Sequence, residues 1–241
     1  IEYAFIRVGY RGYTKGALAE DTYFRQNLAG ATAAGVKVGV YIFSQAITVE
    51  EAREEANYLL ERIKDYNITF PVVLDYEFSP NKGRLETAKL SKADGTAICL
   101  EFCKTIQAAG YTPMVYANPD MLNNHLNATE ISNQYLIWLA NYTKQTSYTG
   151  KFDYWQYSSS GAVDGITGRV DMNFFYGKQQ LATAERAQEE NFLLTNGLGG
   201  YASVTAAYSV PRCDQGILVA AVKAPNVRIS MVHRLREQLC L

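Results

Sequence analysis

The sequence lacks the features that would tie it to a nucleic acid or a membrane. Its 23 Lys and Arg residues nearly balance its 24 Asp and Glu residues, so no basic surface argues for a nucleic-acid or anionic-membrane partner. The longest apolar runs, residues 135–140 and 216–222, are far too short to cross a bilayer. With 48% hydrophobic and 20% charged residues, the composition is that of a folded globular protein.

Cysteine is scarce as well. The four cysteines, at positions 99, 103, 213 and 240, are too few and too unevenly placed for a disulfide framework, and no spacing suggests zinc. Cys99 and Cys103 fall four residues apart on one face of a predicted helix, and we interpret them as buried thiols. We expect neither a metal nor a cofactor. The first residues predict a strand rather than a signal peptide.

Strand and helix patterns alternate in the first half of the chain. Short β-branched and aromatic runs predict strands over residues 3–8, 36–43 and 70–76. Helical periods follow over residues 21–34, from residue 48 and over 94–109, with Asp21 as one N-cap and Thr48 with Glu51 as a capping box. This alternation predicts an α/β fold with parallel strands and helical crossovers.

The second half of the sheet is predicted to be poor in helices. Strand-like runs recur at residues 113–117, 135–140, 152–157 and 170–175, with connections mostly too short for a crossover helix. Counting these runs gives seven strands before residue 178, one fewer than the eight of a closed (β/α) barrel.

The composition changes near residue 178. Of the 18 Tyr, 10 Phe and 2 Trp residues, only Phe192, Tyr201 and Tyr208 come later. We therefore predict a barrel over residues 1–178 and a separate fragment over 179–241 that shares few apolar contacts with it. The fragment has a helix-permissive start at 178–190, a Gly-rich turn at 196–200 and a strand-like run at 216–222.

Three acidic residues are candidates for catalysis. Asp75 and Glu77 lie two apart at the end of a hydrophobic strand, so their side chains leave the same face with Cα atoms about 6.5 Å apart. Asp171 lies in the last strand of the barrel region, which in a closed sheet returns beside the first strands. Glycoside hydrolysis needs carboxylates with divided roles. The competing interpretation is a capping carboxylate beside a solvated one.

Aromatic side chains gather at predicted strand ends. They are Tyr41, Phe43, Tyr116, Trp138, Tyr142, Trp155 and Tyr157. Rings with polar tips suit the flat faces of sugars, so this bias favours a carbohydrate-binding groove, although any single ring could instead pack in the core.

Seven ordered motifs carry a family resemblance. They are YAFIR (3–7), GVYIF (39–43), VVLDYE (72–77), VYAN (115–118), IWLANY (137–142), YWQY (154–157) and VDMN (170–173). Through them, residues 1–178 resemble glycoside hydrolase family 25, the muramidases (lysozymes) that cleave the bond after N-acetylmuramic acid in peptidoglycan. The resemblance implies an irregular TIM-like barrel with a helix-poor second half.

The same resemblance implies roles for individual residues. Glu77 matches the general acid of a retaining enzyme, and Asp75 and Asp171 match flanking carboxylates. Whether the nucleophile is an Asp or the 2-acetamido group of the substrate stays open. The expected substrate-binding residues, from the resemblance or from the aromatic pattern, are Arg7, Tyr41, Phe43, Tyr116, Asn118, Trp138, Tyr142 and Trp155. The implied partner is the peptidoglycan glycan strand, without nucleic acid or membrane, at an extracellular or cell-wall location.

Two departures from the family pattern shape further expectations. The family's first strand, with a DxSxxQG-type motif, would precede Ile1, so we expect a barrel one strand short, with unpaired edges near Ile6 and Phe174. The alternative hypothesis is thus a catalytically impaired carbohydrate-binding barrel. Residues 193–203 and 216–221 resemble the start of the N-terminal β-sandwich of glycogen debranching enzyme, which predicts a β-rich C-terminal fragment.

Overall fold

A computed structural model describes residues 3–79, 82–163 and 168–176, together with the backbone of two strands further along the chain. Over these residues the protein is a mixed α/β barrel in which helices cover the outside of a curled sheet, as the sequence predicts. None of the helices in the described part combines the length and apolar character needed to cross a membrane.

The described residues form ten strands and five α-helices. The strands are β1 (Tyr3–Arg11), β2 (Leu18–Glu20), β3 (Lys37–Ser44), β4 (Val72–Tyr76), β5 (Pro113–Ala117), β6 (Leu136–Ala140), β7 (Tyr154–Gly161), β8 (Arg169–Phe175), β9 (Ile217–Ala224) and β10 (Val227–Arg234). The helices are α1 (Phe24–Ala33), α2 (Val49–Ile63), α3 (Arg84–Thr87), α4 (Lys92–Ala108) and α5 (Ala128–Ser132), and a π-helical turn spans Met121–His125.

Strand direction divides the sheet into two parts. Strands β1, β3, β4, β5, β6 and β7 are parallel neighbours, whereas β7, β8, β9 and β10 pair antiparallel. Parallel neighbours need crossover connections and antiparallel ones do not. In the described part, no helix follows α5, which confirms the predicted helix-poor second half.

The C-terminal hairpin of β9 and β10 joins the two ends of the sheet. β9 pairs with β8, with Phe174 opposite Leu218, and β10 pairs with β1, with Ile6 opposite Ile229. The expectation of unpaired edges at Ile6 and Phe174 is therefore wrong, because the seven-strand count left out the strands beyond residue 178. The division of the chain into domains at that residue stays a prediction.

Side-chain alternation separates an inner core from an outer one. The inner cluster lies on the sheet face away from the helices and consists of Tyr3, Phe5, Phe70, Val73, Met114, Tyr116, Trp138, Ala140 and Tyr154. The outer cluster packs the opposite face against the helices, with Leu28, Leu59 and Phe102 among its members. Gly39 lets the inner rings approach the backbone, since a Cβ there would lie 2.4 Å from Cε1 of Phe5.

Helix starts differ in detail from the predicted ones. Thr48 caps α2 by accepting from the Glu51 amide at 3.3 Å, but the Glu51 carboxylate accepts from the Ile47 amide instead of closing a capping box. The helix α1 begins only at Phe24, so Asp21 is not its N-cap. Asp21 accepts instead from the Tyr23 amide, at 2.9 Å.

The cysteine prediction is confirmed where the structure describes it. Cys99 and Cys103 on α4 are buried free thiols, and burial raises the pKa of both. Cys213, Cys240, the predicted helix start at 178–190 and the turn at 196–200 lie outside the described residues.

An ionic network with Arg11 and Glu55 buried at its centre joins β1, β3 and α2. The Nε of Arg11 donates to Glu55 at 2.7 Å and one Nη donates to Glu54 at 2.6 Å. Ser44 donates to the other Glu55 oxygen at 2.6 Å, and the Glu51 carboxylate lies 3.8 Å from Arg11. Burial raises the pKa of Glu55 to about 7, and the opposing effects of the hydrogen bonds from Ser44 and Arg11 and of the Arg11 charge only partly offset it.

This network predicts a pH-dependent stability. Between pH 4.5 and 7 the unfolded chain releases the Glu55 proton while the folded chain keeps it, so the free energy of unfolding falls as pH rises. The contribution of Glu55 is at most about 3 kcal/mol. Urea denaturation from pH 4.5 to 8 should show this decline in the parent and less of it in Glu55→Gln. Glu61→Gln, on the exposed face of the same helix, should keep the parental decline; equal profiles for Glu55→Gln and the parent would contradict the assignment.

Candidate active site

Two carboxylates leave the sheet at the C-terminal end of β4. Asp75 is the second-last residue of the strand and is 9% exposed. Glu77 is the first residue after the strand ends. The residue between them, Tyr76, packs into the outer core. Because successive side chains in a strand alternate, Asp75 and Glu77 both face the barrel interior.

Asp171 reaches the same end of the barrel from β8. It is 8% exposed and lies near the start of that strand. Because β8 runs antiparallel to β7, its first residues lie beside the last residues of β7, at the end where the parallel strands finish. The last barrel strand that we predicted returns to the first one only through the hairpin of β9 and β10, which lies between β8 and β1.

The tyrosines around the barrel mouth lie in the electric field of the acidic residues. Burial raises the pKa of Tyr142 to about 12, and the nearby charges of Asp171, Glu77 and Asp75 add to that rise. Burial likewise raises the pKa of Tyr41, with Asp75 and Asp171 among the further causes. These effects agree with the strand register, in which Asp75 lies opposite Tyr116 and Asp171 lies two residues before Asn173, the partner of Gln156.

A hydrogen-bonded wall stands beside the carboxylates. Gln156 Oε1 accepts from the hydroxyl of Tyr116 at 2.6 Å and from that of Tyr142 at 3.2 Å. On the next strand, Asn173 lies opposite Gln156 and accepts from Nε1 of Trp138 at 2.8 Å. Sequence reasoning did not assign functions to Gln156 and Asn173, although each lies two residues from another inward-facing side chain.

The predicted substrate-binding rings differ in how much surface they offer. Tyr142 is 50% exposed and can stack on a ligand, and Tyr41 and Phe43 are partly buried. Tyr116 and Trp138 are at most 7% exposed and belong to the inner core, so they support the wall more than they offer an open face.

Asn118 and Arg7 have structural partners. The Oδ1 of Asn118 accepts from the Met121 amide at 2.9 Å. Arg7 forms an ion pair with Asp21 at 2.5 Å, and its guanidinium carbon lies 5.4 Å from the centroid of the Tyr10 ring. Asp21 also contributes to the raised pKa of Tyr41, after burial and the opposing effect of Arg7. Its ion-pair partner Arg7 lies opposite Tyr41 in the ladder of β1 and β3, so Asp21 is a further acid on the side of Tyr41, where the sequence pattern presented it only as a helix cap.

Trp155 is an expected binding residue whose ring the structure places in the outer core. It is 1% exposed, belongs to the outer core and donates from Nε1 to the Asn141 carbonyl at 2.7 Å. The assignment fails because Trp155 lies next to the inward-facing Tyr154 and Gln156, so alternation turns it outward. Tyr157 packs in the same outer region, stacked on Phe174 at 4.6 Å.

Among residues 3–79, 82–163 and 168–176, no group of three or more His, Cys, Asp or Glu side chains has an arrangement that could hold a metal ion.

A family comparison agrees with this geometry. The model of glycosyl hydrolases family 25 matches residues 2–166, well over half of the chain. The chain belongs to glycosyl hydrolase family 25. A second, shorter match covers residues 190–241 with the model of the N-terminal region of glycogen debranching enzyme, as the resemblance of the tail implies.

The curated relatives include bacterial and phage proteins. The YegX protein of Escherichia coli strain K12 is 29% identical over 181 residues, which cover 73% of this chain and 60% of that protein. The lysozyme of Lactococcus phage mv1 is 27% identical over 122 residues, covering 48% of this chain and 59% of that enzyme. The family 25 chain thus spans about 60% of the length of these relatives.

Solved structures share the fold. The autolysin LytC of Streptococcus pneumoniae is 26% identical with a TM-score of 0.60, covering 72% of this chain and 40% of that one, and it has also been solved with a synthetic peptidoglycan ligand. The lysozyme of Streptomyces coelicolor, 22% identical, matches with a TM-score of 0.63 over 82% of this chain and 88% of that one, which shows likeness of fold.

Proposed function

We propose that this chain is a peptidoglycan hydrolase, a 1,4-β-N-acetylmuramidase that cleaves between N-acetylmuramic acid and N-acetylglucosamine with retention of configuration. The observation that carries the proposal is the strand register at one end of the barrel. Asp75 lies opposite Tyr116, whose hydroxyl shares Gln156 with that of the half-exposed Tyr142. Glu77 follows the strand of Asp75, and Asp171 lies two residues before Asn173, the partner of Gln156. Family membership supports the glycosidase class.

Glu77 is the proposed general acid and base. In the first step its proton goes to the glycosidic oxygen as the bond to the sugar carbon breaks, and in the second its carboxylate takes a proton from the attacking water. Asp75 and Asp171 are buried carboxylates beside it, so their negative charge can stabilise the oxocarbenium-like transition state.

Two nucleophiles are compatible with retention. An Asp carboxylate can form a covalent ester with the sugar, or the substrate's own 2-acetamido oxygen can attack while an Asp orients the amide. Asp75 and Glu77 lie two residues apart on the same strand face, which places their Cα atoms about 6.5 Å apart. Retaining enzymes hold their two carboxyl groups about 5 to 5.5 Å apart, and we propose that the side chains of Asp75 and Glu77 reach that separation.

The proposed partner is the peptidoglycan glycan strand. LytC is a structural neighbour that has been solved with a synthetic peptidoglycan ligand, and several curated relatives are lysozymes. Action on this polymer implies an extracellular or cell-wall location for the protein.

The test is product analysis on purified peptidoglycan. The released fragments are reduced with borohydride, and we expect new reducing ends that yield muramitol, because a muramidase leaves N-acetylmuramic acid at the new end. New ends that yield glucosaminitol would overturn the muramidase assignment. Binding to peptidoglycan in a sedimentation assay without any release would favour the alternative of a carbohydrate-binding barrel.

A further inference from the structure

Gln45 follows β3 directly and its side chain reaches the segment that carries Glu77. Gln45 is 0% exposed. Its Nε2 donates to the carbonyl of Glu77 at 3.0 Å and to the carbonyl of Ser44 at 2.9 Å, and its Oε1 lies 3.5 Å from the amide of Leu85. The amide orientation is defined by these contacts, because a flipped amide would turn its oxygen towards two carbonyls.

The bond to Glu77 lies where the regular sheet pairing stops. The ladder between β3 and β4 ends with Ser44 opposite Tyr76, so Glu77 is the first residue beyond it. The side chain of Gln45 supplies a hydrogen bond to the Glu77 backbone at the point where strand pairing no longer does.

The amide of Gln45 is itself enclosed by the segment around α3. A Cβ at Gly83 would lie only 2.6 Å from Oε1 of Gln45. The next residue, Arg84, fixes this segment by donating to the Glu51 carboxylate at 2.8 and 3.0 Å. The position of the Gln45 amide is therefore set by contacts on both sides.

We propose that Gln45 is a positioning residue that holds the backbone of Glu77 so that its carboxyl points at the glycosidic oxygen. This inference rests on the proposed function. Gln45 would affect the rate by fixing the position of the Glu77 carboxyl, because a displacement of about 1 Å in a reacting group can cost on the order of 100-fold in rate.

The experiment measures kcat and KM on soluble, uncross-linked peptidoglycan strands, with melting temperatures for each variant. Gln45→Met keeps the length of the side chain but removes the donor, and we expect kcat to fall about 10- to 100-fold with KM within about twofold of the parent. Gln134→Met is the matched control, since Gln134 is exposed and its amide also donates to a backbone carbonyl, that of Glu130. It should keep parental kinetics.

A second variant tests the same contact without removing the amide. Gly83 has a φ of −67°, which alanine adopts freely. A Cβ there would lie 2.6 Å from Oε1 of Gln45, 2.9 Å from Cβ of Tyr13 and 3.1 Å from Cβ of Ser79, so Gly83→Ala should displace the Gln45 amide, the most closely crowded group. We expect it to lower kcat as well, and this variant decides the question if Gln45→Met fails to fold.

Failure of this inference can be told from failure of the proposed function. Parental kcat in folded Gln45→Met or in Gly83→Ala, alongside an inactive Glu77→Gln, would overturn the positioning role alone. A stability loss with unchanged kcat would likewise overturn it, because that pattern shows a purely structural role. A parent chain that releases no reducing ends, or an active Glu77→Gln, would overturn the proposed function itself.

Discussion

Replacing Glu77 by Gln is expected to lower the rate of peptidoglycan cleavage at least 100-fold while leaving the fold intact. Gln has nearly the same shape as Glu but cannot give a proton to the leaving oxygen, and general acid catalysis is worth about 10² to 10⁴ in rate. The measurement is release of reducing ends from purified peptidoglycan, with the melting temperature expected within about 2 °C of the parent, a change below roughly 1 kcal/mol.

The control for this variant is Glu86→Gln, an equivalent change on α3 that leaves the carboxylates of the mouth in place. It should cleave at the parental rate. Parental activity in Glu77→Gln would show that another group donates the proton, and Asp75→Asn and Asp171→Asn would then identify which of the two supplies it.

Ending the chain after Tyr176 is expected to destabilise the barrel strongly. This truncation removes β9 and β10, whose backbones pair with β8 at Arg169–Phe175 and with β1 at Tyr3–Ile6. Two strand edges would lose their partners and become available for aggregation. We expect the melting temperature to fall by at least about 5 °C, on the order of 2 kcal/mol for a domain of this size, with increased light scattering.

A chain that ends after Arg234 is the matched control, because it keeps both strands of the hairpin. Its melting temperature should equal that of the full chain. An unchanged melting temperature after removal of the whole tail would instead support the sequence-based view of an independent fragment with few shared contacts.

Most of the barrel could be predicted because its strands are short apolar runs between turn residues. The seven strands predicted before residue 178 are all present, whereas β2 has only three residues and gave no periodic signal. The closing role of β9 and β10 could not be predicted, because the strand-like run at 216–222 does not reveal which distant edge it joins. Pairing over such sequence distances depends on the whole fold.

For the site residues, too, the features set by local sequence could be predicted and those set by long-range contacts could not. Asp75 and Glu77 could be placed together because strand alternation is local. Trp155 was assigned to the groove because an aromatic at a strand end does not tell which face it occupies. No sequence pattern pointed to Gln45, because a single Gln after a strand is common. Its role is visible only in the structure, where its side chain donates to the backbone carbonyl of Glu77.

The ring-filled interior of the barrel determines how a polymer can approach the mouth. Phe5 and Tyr154 are 0% exposed, and with Phe70 and Trp138 they close the channel beneath the carboxylates. A glycan strand, the proposed substrate, could therefore not thread through the barrel and would have to lie across its opening. Substrate would then bind and product would leave at the same end of the barrel. Because binding across the opening does not require a chain end, bonds in the middle of a long strand would be as accessible as those at its ends.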